Sequence, residues 1–567
     1  MAELPHWNLD SIYPSCESIE FRNDLESLIA KSEELETAVD DRMPILTILE
    51  KNNEARSLLV NLSAYTGALL STDTSSSIYM KANGDVENAG VIYSSAEEKM
   101  VHGLYQRRDE FSRPELSDYS YYLDCLKTQA EHQMSLEEEN LASDLARSGS
   151  SSWERLQASI TSSSSDGDKT LIELRGMATD GDRSVRKIAF ERELKVLEEH
   201  GTALAASLNG VKGTVLTLER RRHWDDPVDS SLFSSRITRK ALDSLIASLE
   251  EALPMFRHYL GIKASLLGIG KMDFFDLFAP VGHSGRKYSF EEARDIVVSS
   301  YASFSRDMGE FAENAFRSGW IDAEPRKGKV GGAYDTAFPL AKESRVLCNF
   351  DYSYDSVATI AHELGHAYHD SIVKDIPMVL SEYPMTLAET ASIFGESVVF
   401  QNVLAGASHE EALPIIEQFV QSCCQVCVDI LSRFYFERAA FAKRREGEIG
   451  ADEYCAMMLD AQERTYGDGL GIKHPYMWAV KSHYYSADFS FYNYPYAFGQ
   501  LFALSLYSMK DSDPGFPSSY RRMLSMTGRA SANEVASSMG CDIEDRAFWK
   551  RGLDMIGVYI KRLEEWL

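Results

Sequence analysis

Asp355-Ser-Val-Ala-Thr-Ile-Ala-His362-Glu363-Leu-Gly-His366-Ala-Tyr-His369-Asp370 carries a helical signal and a chemical one in the same sixteen residues. Val357, Ile360, Ala361, Leu364 and Ala367 recur at spacings of three and four, which predicts a helix with one buried stripe. His362 and His366 fall on the opposite side of that helix. Residues four apart are one turn apart, so both imidazoles can reach a single ion at about 2.0–2.1 Å. Glu363 lies about 100° round from His362, off the ligand stripe but near enough to act on a water held there. His-Glu-x-x-His on a helix is therefore a zinc-site signature with its own general base. The bland alternative is a solvated face with two unrelated histidines. His369 continues the stripe but sits about 10.5 Å along the axis from His362, too far to share one ion with both neighbours. No histidine follows within 371–374, so the longer HExxHxxGxxH pattern is absent. His369 is expected to support a ligand, face substrate or lie exposed, and the third ligand must come from another helix.

That helix is offered by Pro384-Met-Thr-Leu-Ala-Glu389-Thr-Ala-Ser-Ile-Phe-Gly-Glu396, with Glu382, Glu389 and Glu396 as acidic candidates. Thr386-x-x-Glu389 is also a capping-box pattern, so spacing alone leaves Glu389 open between a ligand and a helix cap. Farther out the chain reads helical nearly throughout. Ser289-Phe-Glu-Glu292 and Ser408-His-Glu-Glu411 fit capping boxes, and Leu242, Leu245, Ile246 and Leu249 belong to a helix that Pro254 should kink or divide. Two stretches break the pattern. Ser148 to Lys169 is Ser-rich around Asp166-Gly167 and reads as a hairpin or exposed loop. Lys327-Gly-Lys-Val-Gly-Gly-Ala333 is a glycine-rich loop, and Arg345-Val-Leu-Cys-Asn-Phe350 reads as a strand leading into the HExxH helix. No GxxxxGK[ST] occurs, and Asp166-Gly-Asp and Gly467-Asp-Gly fail the EF-hand spacing.

The 567 residues allow two to four domains, and 44% hydrophobic residues suffice for a large core. Eighty-seven acidic against 58 basic residues leave a net charge of −29, which repels phosphate backbones and argues against nucleic-acid partners. No apolar run is long enough for a membrane helix, and the first residues lack a basic segment followed by an apolar one. A cytoplasmic protein without a signal peptide or a membrane partner is expected. Eight cysteines are few. Cys424-Gln-Val-Cys427 has redox-pair spacing but no partner CxxC, and Ile415 to Phe436 reads as one helix with buried thiols.

His362-Glu-Leu-Gly-His-Ala-Tyr-His, followed by Met385-Thr-Leu-Ala-Glu389-Thr-Ala-Ser, resembles the thimet oligopeptidase and oligoendopeptidase F family of zinc metallopeptidases, most nearly the oligoendopeptidase F branch. The resemblance extends to Trp7-Asn-Leu-Asp-Ser-Ile-Tyr-Pro14, to Tyr334-Asp-Thr-Ala-Phe-Pro339 and to His483-Tyr-Tyr-Ser-Ala-Asp-Phe-Ser-Phe-Tyr492-Asn-Tyr494-Pro-Tyr496. The HESQSR-like run of the Taq-type carboxypeptidases is missing, since Glu389-Thr-Ala-Ser stands there. The resemblance implies one zinc per chain held by His362, His366 and Glu389, with Glu363 as general base. It implies a mainly α fold, two helical halves around a deep channel with a small sheet beside the HExxH helix. It also implies an N-terminal helical region at 1–200 and a catalytic region at 201–567.

Residues 466–500 hold four glycines among seven tyrosines. An aromatic core helix is the bland reading. Buried Tyr hydroxyls need partners, however, and a hydrolytic site needs donors for a developing oxyanion. By the resemblance His483 and Tyr494 hold the scissile carbonyl, with Tyr492 or Tyr496 as alternatives for Tyr494 and as substrate contacts. Gly331, Gly332 and Asn349 are further substrate-binding candidates, and a short peptide would add as a strand along Arg345–Phe350. The expected activity is endopeptidase hydrolysis of short peptides by water that zinc acidifies toward a pKa of about 7. The alternatives are an exopeptidase of dipeptidyl carboxypeptidase type and an inactive peptide-binding scaffold.

Overall fold

The computed structural model describes residues 3–282 and 286–567, the side chain of Leu136 apart. The chain is mainly helical, as expected, with five short strands among the described residues: β1 (Ser165–Asp166), β2 (Lys169–Thr170), β3 (Ile321–Asp322), β4 (Tyr334–Phe338) and β5 (Glu343–Leu347). No helix among the described residues is long and apolar enough to cross a membrane. Two compact units are present, each assembled from three chain segments. The first comprises Met1–Glu131, Arg286–Gly406 and Met509–Gly540, and the second His132–Gly285, Ala407–Ser508 and Cys541–Leu567. The expected boundary at residue 200 falls within the second unit, between the helices Arg183–Glu199 and Gly201–Arg221.

The first unit begins with three long helices, Ile19–Asp40, Ile45–Thr72 and Ser77–Tyr105. Ser18 and Ser76 cap the first and third by accepting from Phe21 and Tyr79 N–H groups. Phe21, Leu28, Leu62, Tyr65, Ala89 and Tyr93 form one core with Phe338 and Leu347, so the three helices and the sheet share apolar contacts. In the sheet β5 is central. It runs parallel to β3 and antiparallel to β4, with Tyr334 opposite Leu347 and Phe338 opposite Glu343. The expected strand at Arg345–Phe350 is present only over its first three residues, since β5 ends at Leu347, and β5 already has a neighbour on either side. Beyond Leu347 the Cys348 and Phe350 N–H groups donate to the Asp322 and Ala323 carbonyls. A peptide cannot add there. The open edge belongs to β4.

The second unit contains the β1–β2 hairpin, which turns at Gly167 with a φ of 62°. The Ser-rich stretch before it is helix (Ser150–Ser163) rather than loop, because Trp153, Leu156, Gln157 and Ile160 keep helical spacing. Arg239–Leu266 is a single helix that Pro254 does not divide, since Leu249, Leu253, Phe256 and Leu260 are buried on both sides of it. The expected helix over Ile415–Phe436 is interrupted by one π-helical turn, Gln425–Asp429, between His409–Cys424 and Ile430–Arg444. Cys423, Cys424 and Cys427 are buried free thiols, and burial pushes Cys424 up to about 12. They are core residues, as expected.

Candidate metal centre and its surroundings

The HExxH helix, Tyr354–Val373, starts at Ser353, whose hydroxyl accepts the Ser356 N–H. Val357, Ile360, Ala361, Leu364 and Ala367 are fully buried, which is the predicted apolar stripe. It packs against the helix Met385–Gly406, and the approach is close because of one glycine. A Cβ on Gly365 would lie 2.5 Å from Ser392 Cα and 2.6 Å from the Ala391 carbonyl oxygen. Only a residue without a side chain fits, and that contact sets Glu389 opposite the histidine pair. Farther along, a Cβ on Gly395 would collide with the Tyr301 hydroxyl, which itself donates to the Ala361 carbonyl.

His362, His366 and Glu389 form the one cluster among the described residues with the composition and spacing of a metal site. Glu389 Oε2 lies 3.2 Å from His362 Nε2 and 3.5 Å from His366 Nε2. Ligands at about 2.0–2.1 Å in a tetrahedral site stand about 3.3 Å apart, so the donor set fits a small tetrahedral cation such as zinc. Thr386 lies inside the helix rather than at its cap, so the capping-box alternative for Glu389 falls away. Ser392 Oγ donates to Glu389 Oε2 at 2.8 Å and orients it. Burial opposes charge on both groups. The hydrogen bonds from His362 and His366 nevertheless hold Glu389 well below the carboxylate range, and Glu389 and Glu396 hold His362 well above the usual histidine range.

The other acidic candidates have different work. Glu396 accepts from His362 Nδ1 at 3.1 Å, which leaves Nε2 for the cluster. Glu382 is engaged by Arg56 Nη2 at 2.7 Å. Glu363 is 7% exposed, and burial raises its pKa while His362 and His366 lower it. It also accepts a hydrogen bond from the Asp335 backbone N–H, which ties it to the edge strand β4. His369 corrects the expectation of an exposed or substrate-facing residue. It is fully buried and stacked on Tyr383 with ring centroids 4.0 Å apart, and its Nε2 lies 2.8 Å from Thr527 Oγ1. Desolvation pushes it down to about 3, so it is a neutral core histidine.

Sequence reasoning missed Asp335 and Asp370. Their buried carboxyl groups are hydrogen-bonded to each other, and Tyr383 Oη donates to Asp370 at 2.9 Å. Burial drives both upward, Asp335 the more strongly with Asp370's charge adding to it, so the pair shares a proton. Asp370 sits one turn beyond His366, but its partner is 35 positions away in sequence and no local pattern announces it.

The glycine loop is held at two points. Lys329 Nζ is buried, pairs with Asp322 Oδ1 at 2.7 Å and donates to the Cys348 carbonyl at 2.6 Å. Asn349 Nδ2 donates to the Val330 and Gly332 carbonyls, both at 3.0 Å. The amide of Asn349, expected to contact substrate, is therefore used on the loop. Gly331 and Gly332 are exposed, with open space where a Cβ would be, and Gly332 has a φ of 81°.

In the second unit the ring of His483 lies 5.2 Å from Tyr492 and 6.0 Å from Tyr496, centroid to centroid, and all three are partly exposed. Tyr494 is not with them. It is 1% exposed, and its hydroxyl donates to Ser235 Oγ at 2.8 Å with the Ser231 carbonyl at 3.1 Å. That hydroxyl is engaged within the second unit, whereas Tyr492 and Tyr496, the expected alternatives, lie beside His483.

Two family patterns match the chain: peptidase family M3 over residues 176–555 and oligopeptidase F over residues 108–164. Oligopeptidase PepF of Bacillus subtilis is 24% identical over 90% of this chain and 79% of its own length. An oligoendopeptidase F homolog of Lactococcus lactis is 22% identical over 99% of this chain and 96% of its own. The crystal structure of oligoendopeptidase-F from Enterococcus faecium superposes with a TM-score of 0.69 at 16% identity, covering 96% of this chain and 98% of that one. With the M3 pattern spanning most of its length and a His-His-Glu cluster set within it, the chain belongs to peptidase family M3.

Proposed function

We propose that the protein is a zinc-dependent endopeptidase that hydrolyses internal bonds of short peptides. The observation that carries this reading is the convergence of His362 Nε2, His366 Nε2 and Glu389 Oε2 beside the buried carboxylate of Glu363. His362, His366 and Glu389 would hold one zinc ion, and Glu396 would fix the His362 tautomer. When bound, zinc supplies Lewis acidity, acidifying water and polarising a carbonyl. Glu363 takes a proton from the attacking water on its carboxylate and returns it to the leaving amine. A base raised by burial is better matched to neutral pH than an ordinary carboxylate.

The substrate backbone adds to the open edge of β4, whose Asp335 N–H already reaches Glu363. A five-residue edge recognises an extended chain through main-chain bonds, which favours flexible peptides over folded proteins and demands little of their side chains. Gly331 and Gly332 leave room for that backbone to pass. By family resemblance His483, with Tyr492 or Tyr496, donates to the oxyanion. Free thiols at all eight cysteines support a reducing compartment, in line with a cytoplasmic enzyme.

The test is Glu363→Gln. Elemental analysis should find one zinc per chain in both proteins, while hydrolysis falls by about 10²-fold or more in the variant. Substantial activity of Glu363→Gln would overturn the mechanism. A peptide blocked at both ends separates the alternatives, because an exopeptidase leaves it intact.

A further inference from the structure

One residue of β4 ties that strand to the HExxH helix twice. Asp335 donates its backbone N–H to Glu363, and its carboxyl is hydrogen-bonded to that of Asp370, one turn beyond His366. All of these residues belong to the first unit. Asp335 Oδ1 is buried, and no N–H or ordinary hydroxyl among the described residues reaches it. Two carboxylates repel each other. A carboxylic acid beside a carboxylate supplies the missing donor, so the bond holds with one proton between the two groups.

Asp370 is braced from the helix side. Tyr383 Oη donates to its Oδ1 at 2.9 Å, and the Tyr383 ring stacks on His369 with centroids 4.0 Å apart. His369 Nε2 in turn lies 2.8 Å from Thr527 Oγ1. The pair thus has one side that is fixed and one, the strand, that it fixes. β4 is the element that needs an anchor. It is five residues long, is paired on one edge only, and follows a glycine loop in which Gly332 has a φ of 81°. Burying two carboxyl groups opposes folding, and an apolar pair would fill the space without setting a separation between strand and helix.

We propose that Asp335 and Asp370 are positioning residues: the bond between their carboxyl groups pins β4 to the HExxH helix and sets the peptide-docking edge at a working distance from Glu363. The proposal rests on the peptidase reading, since that edge is where the peptide backbone adds. Neither carboxyl group touches the substrate, and Asp335 reaches Glu363 through its backbone alone. A scissile bond displaced by about 1 Å loses about 10²-fold in rate. The pair therefore acts on kcat more than on affinity, which the main-chain bonds along the strand supply.

Two substitutions at 370 test this. Asp370→Asn keeps the bond, because the new amide donates to the Asp335 carboxylate while its oxygen still accepts from Tyr383. Asp370→Leu removes the bond at similar volume. Asp370 borders a cavity of about 1340 Å³ within the first unit, which gives either side chain room. With rates expressed per bound zinc on a short peptide, Asp370→Leu should lower kcat about 10- to 100-fold and change KM by less than about threefold. Asp370→Asn should stay near the unsubstituted enzyme in both. Hydrogen exchange at residues 334–338, read by mass spectrometry, should be about tenfold faster in Asp370→Leu and unchanged in Asp370→Asn. Equal exchange in all three proteins overturns the proposal. So does a kcat that Asp370→Leu leaves unchanged, a kcat that both variants lower alike, or a loss confined to KM. A zinc-loaded unsubstituted chain that cuts no peptide overturns the peptidase reading instead, and the exchange rates, read without turnover, still decide whether the pair holds the strand.

Discussion

Glu396 Oε2 accepts from His362 Nδ1 at 3.1 Å, two helical turns beyond Glu389 on the same helix. The contact fixes which ring nitrogen is left for the metal cluster. Glu396→Ala should therefore weaken zinc affinity by about 10- to 100-fold, with the far-ultraviolet circular dichroism unchanged. Competition against a zinc chelator of known affinity gives the number. An unaltered affinity would mean that the imidazole is oriented by packing alone.

The three tyrosines of residues 492–496 should separate by phenotype. Tyr492→Phe or Tyr496→Phe, whichever is the oxyanion donor, should lower kcat by about 10²–10³ with KM nearly constant, the mark of a bond made only in the transition state. Tyr494→Phe should leave kcat within a few-fold and lower stability by about 1 kcal/mol, because its hydroxyl is spent on Ser231 and Ser235. Steady-state kinetics and urea midpoints distinguish the two outcomes. Normal kcat in all three variants would make the segment purely structural.

Gly365→Ala should be among the most damaging single-methyl additions in this chain. The new Cβ would meet backbone of the opposing helix at 2.5 Å and 2.6 Å, and backbone cannot rotate aside. A loss of about 3 kcal/mol in stability is expected, with weaker zinc binding because Glu389 lies three residues before Ser392. Denaturant unfolding with and without added zinc measures both.

Glu219 carries a pH signature of its own. Burial raises it from 4.5 to about 7, against a hydrogen bond from Ser230. One of its oxygens is buried without a partner. The folded state therefore holds the proton more tightly than the unfolded chain. Its contribution to stability is complete below pH 4.5 and is lost as pH rises through about 7. Glu219→Gln should thus stabilise the protein more at pH 8 than at pH 5, by about 1 kcal/mol after solvent screening is allowed for. Unfolding midpoints at the two pH values check the sign, and an equal shift at both would refute it.

What could be read in advance follows the range of the forces involved. The HExxH helix was legible because Val357 to Ala367 repeat at helical spacing and His362 and His366 lie one turn apart. The buried thiols of Cys424 and Cys427 were legible for the same reason. Glu389 was ambiguous because Thr386-x-x-Glu389 imitates a cap, and only the observed helix start resolves it. The neighbours of β5 were not legible, since an apolar run of six residues does not say whether it is flanked on one side or both. The surroundings of Tyr494 were not legible, because residues 492, 494 and 496 look equivalent in a list of letters. The helix that begins at Tyr494 turns that ring toward Ser231 and Ser235 and away from His483. The Asp335–Asp370 pair arises from a tertiary contact that no short motif encodes.

The interleaving of the two compact units also dictates an order of events during synthesis. The backbone passes from one unit to the other five times, and Met509–Gly540 returns to the first unit after the histidine motif has been made. Thr527, which anchors the buried ring of His369 on the HExxH helix, belongs to that late segment. A ribosome adding about 5–20 residues each second therefore releases the His-His-Glu cluster well before the chain that completes its support. Neither unit exists as a continuous stretch that could be cut out and expressed by itself. The unit that carries the His-His-Glu cluster is therefore complete only once residue 540 has been added.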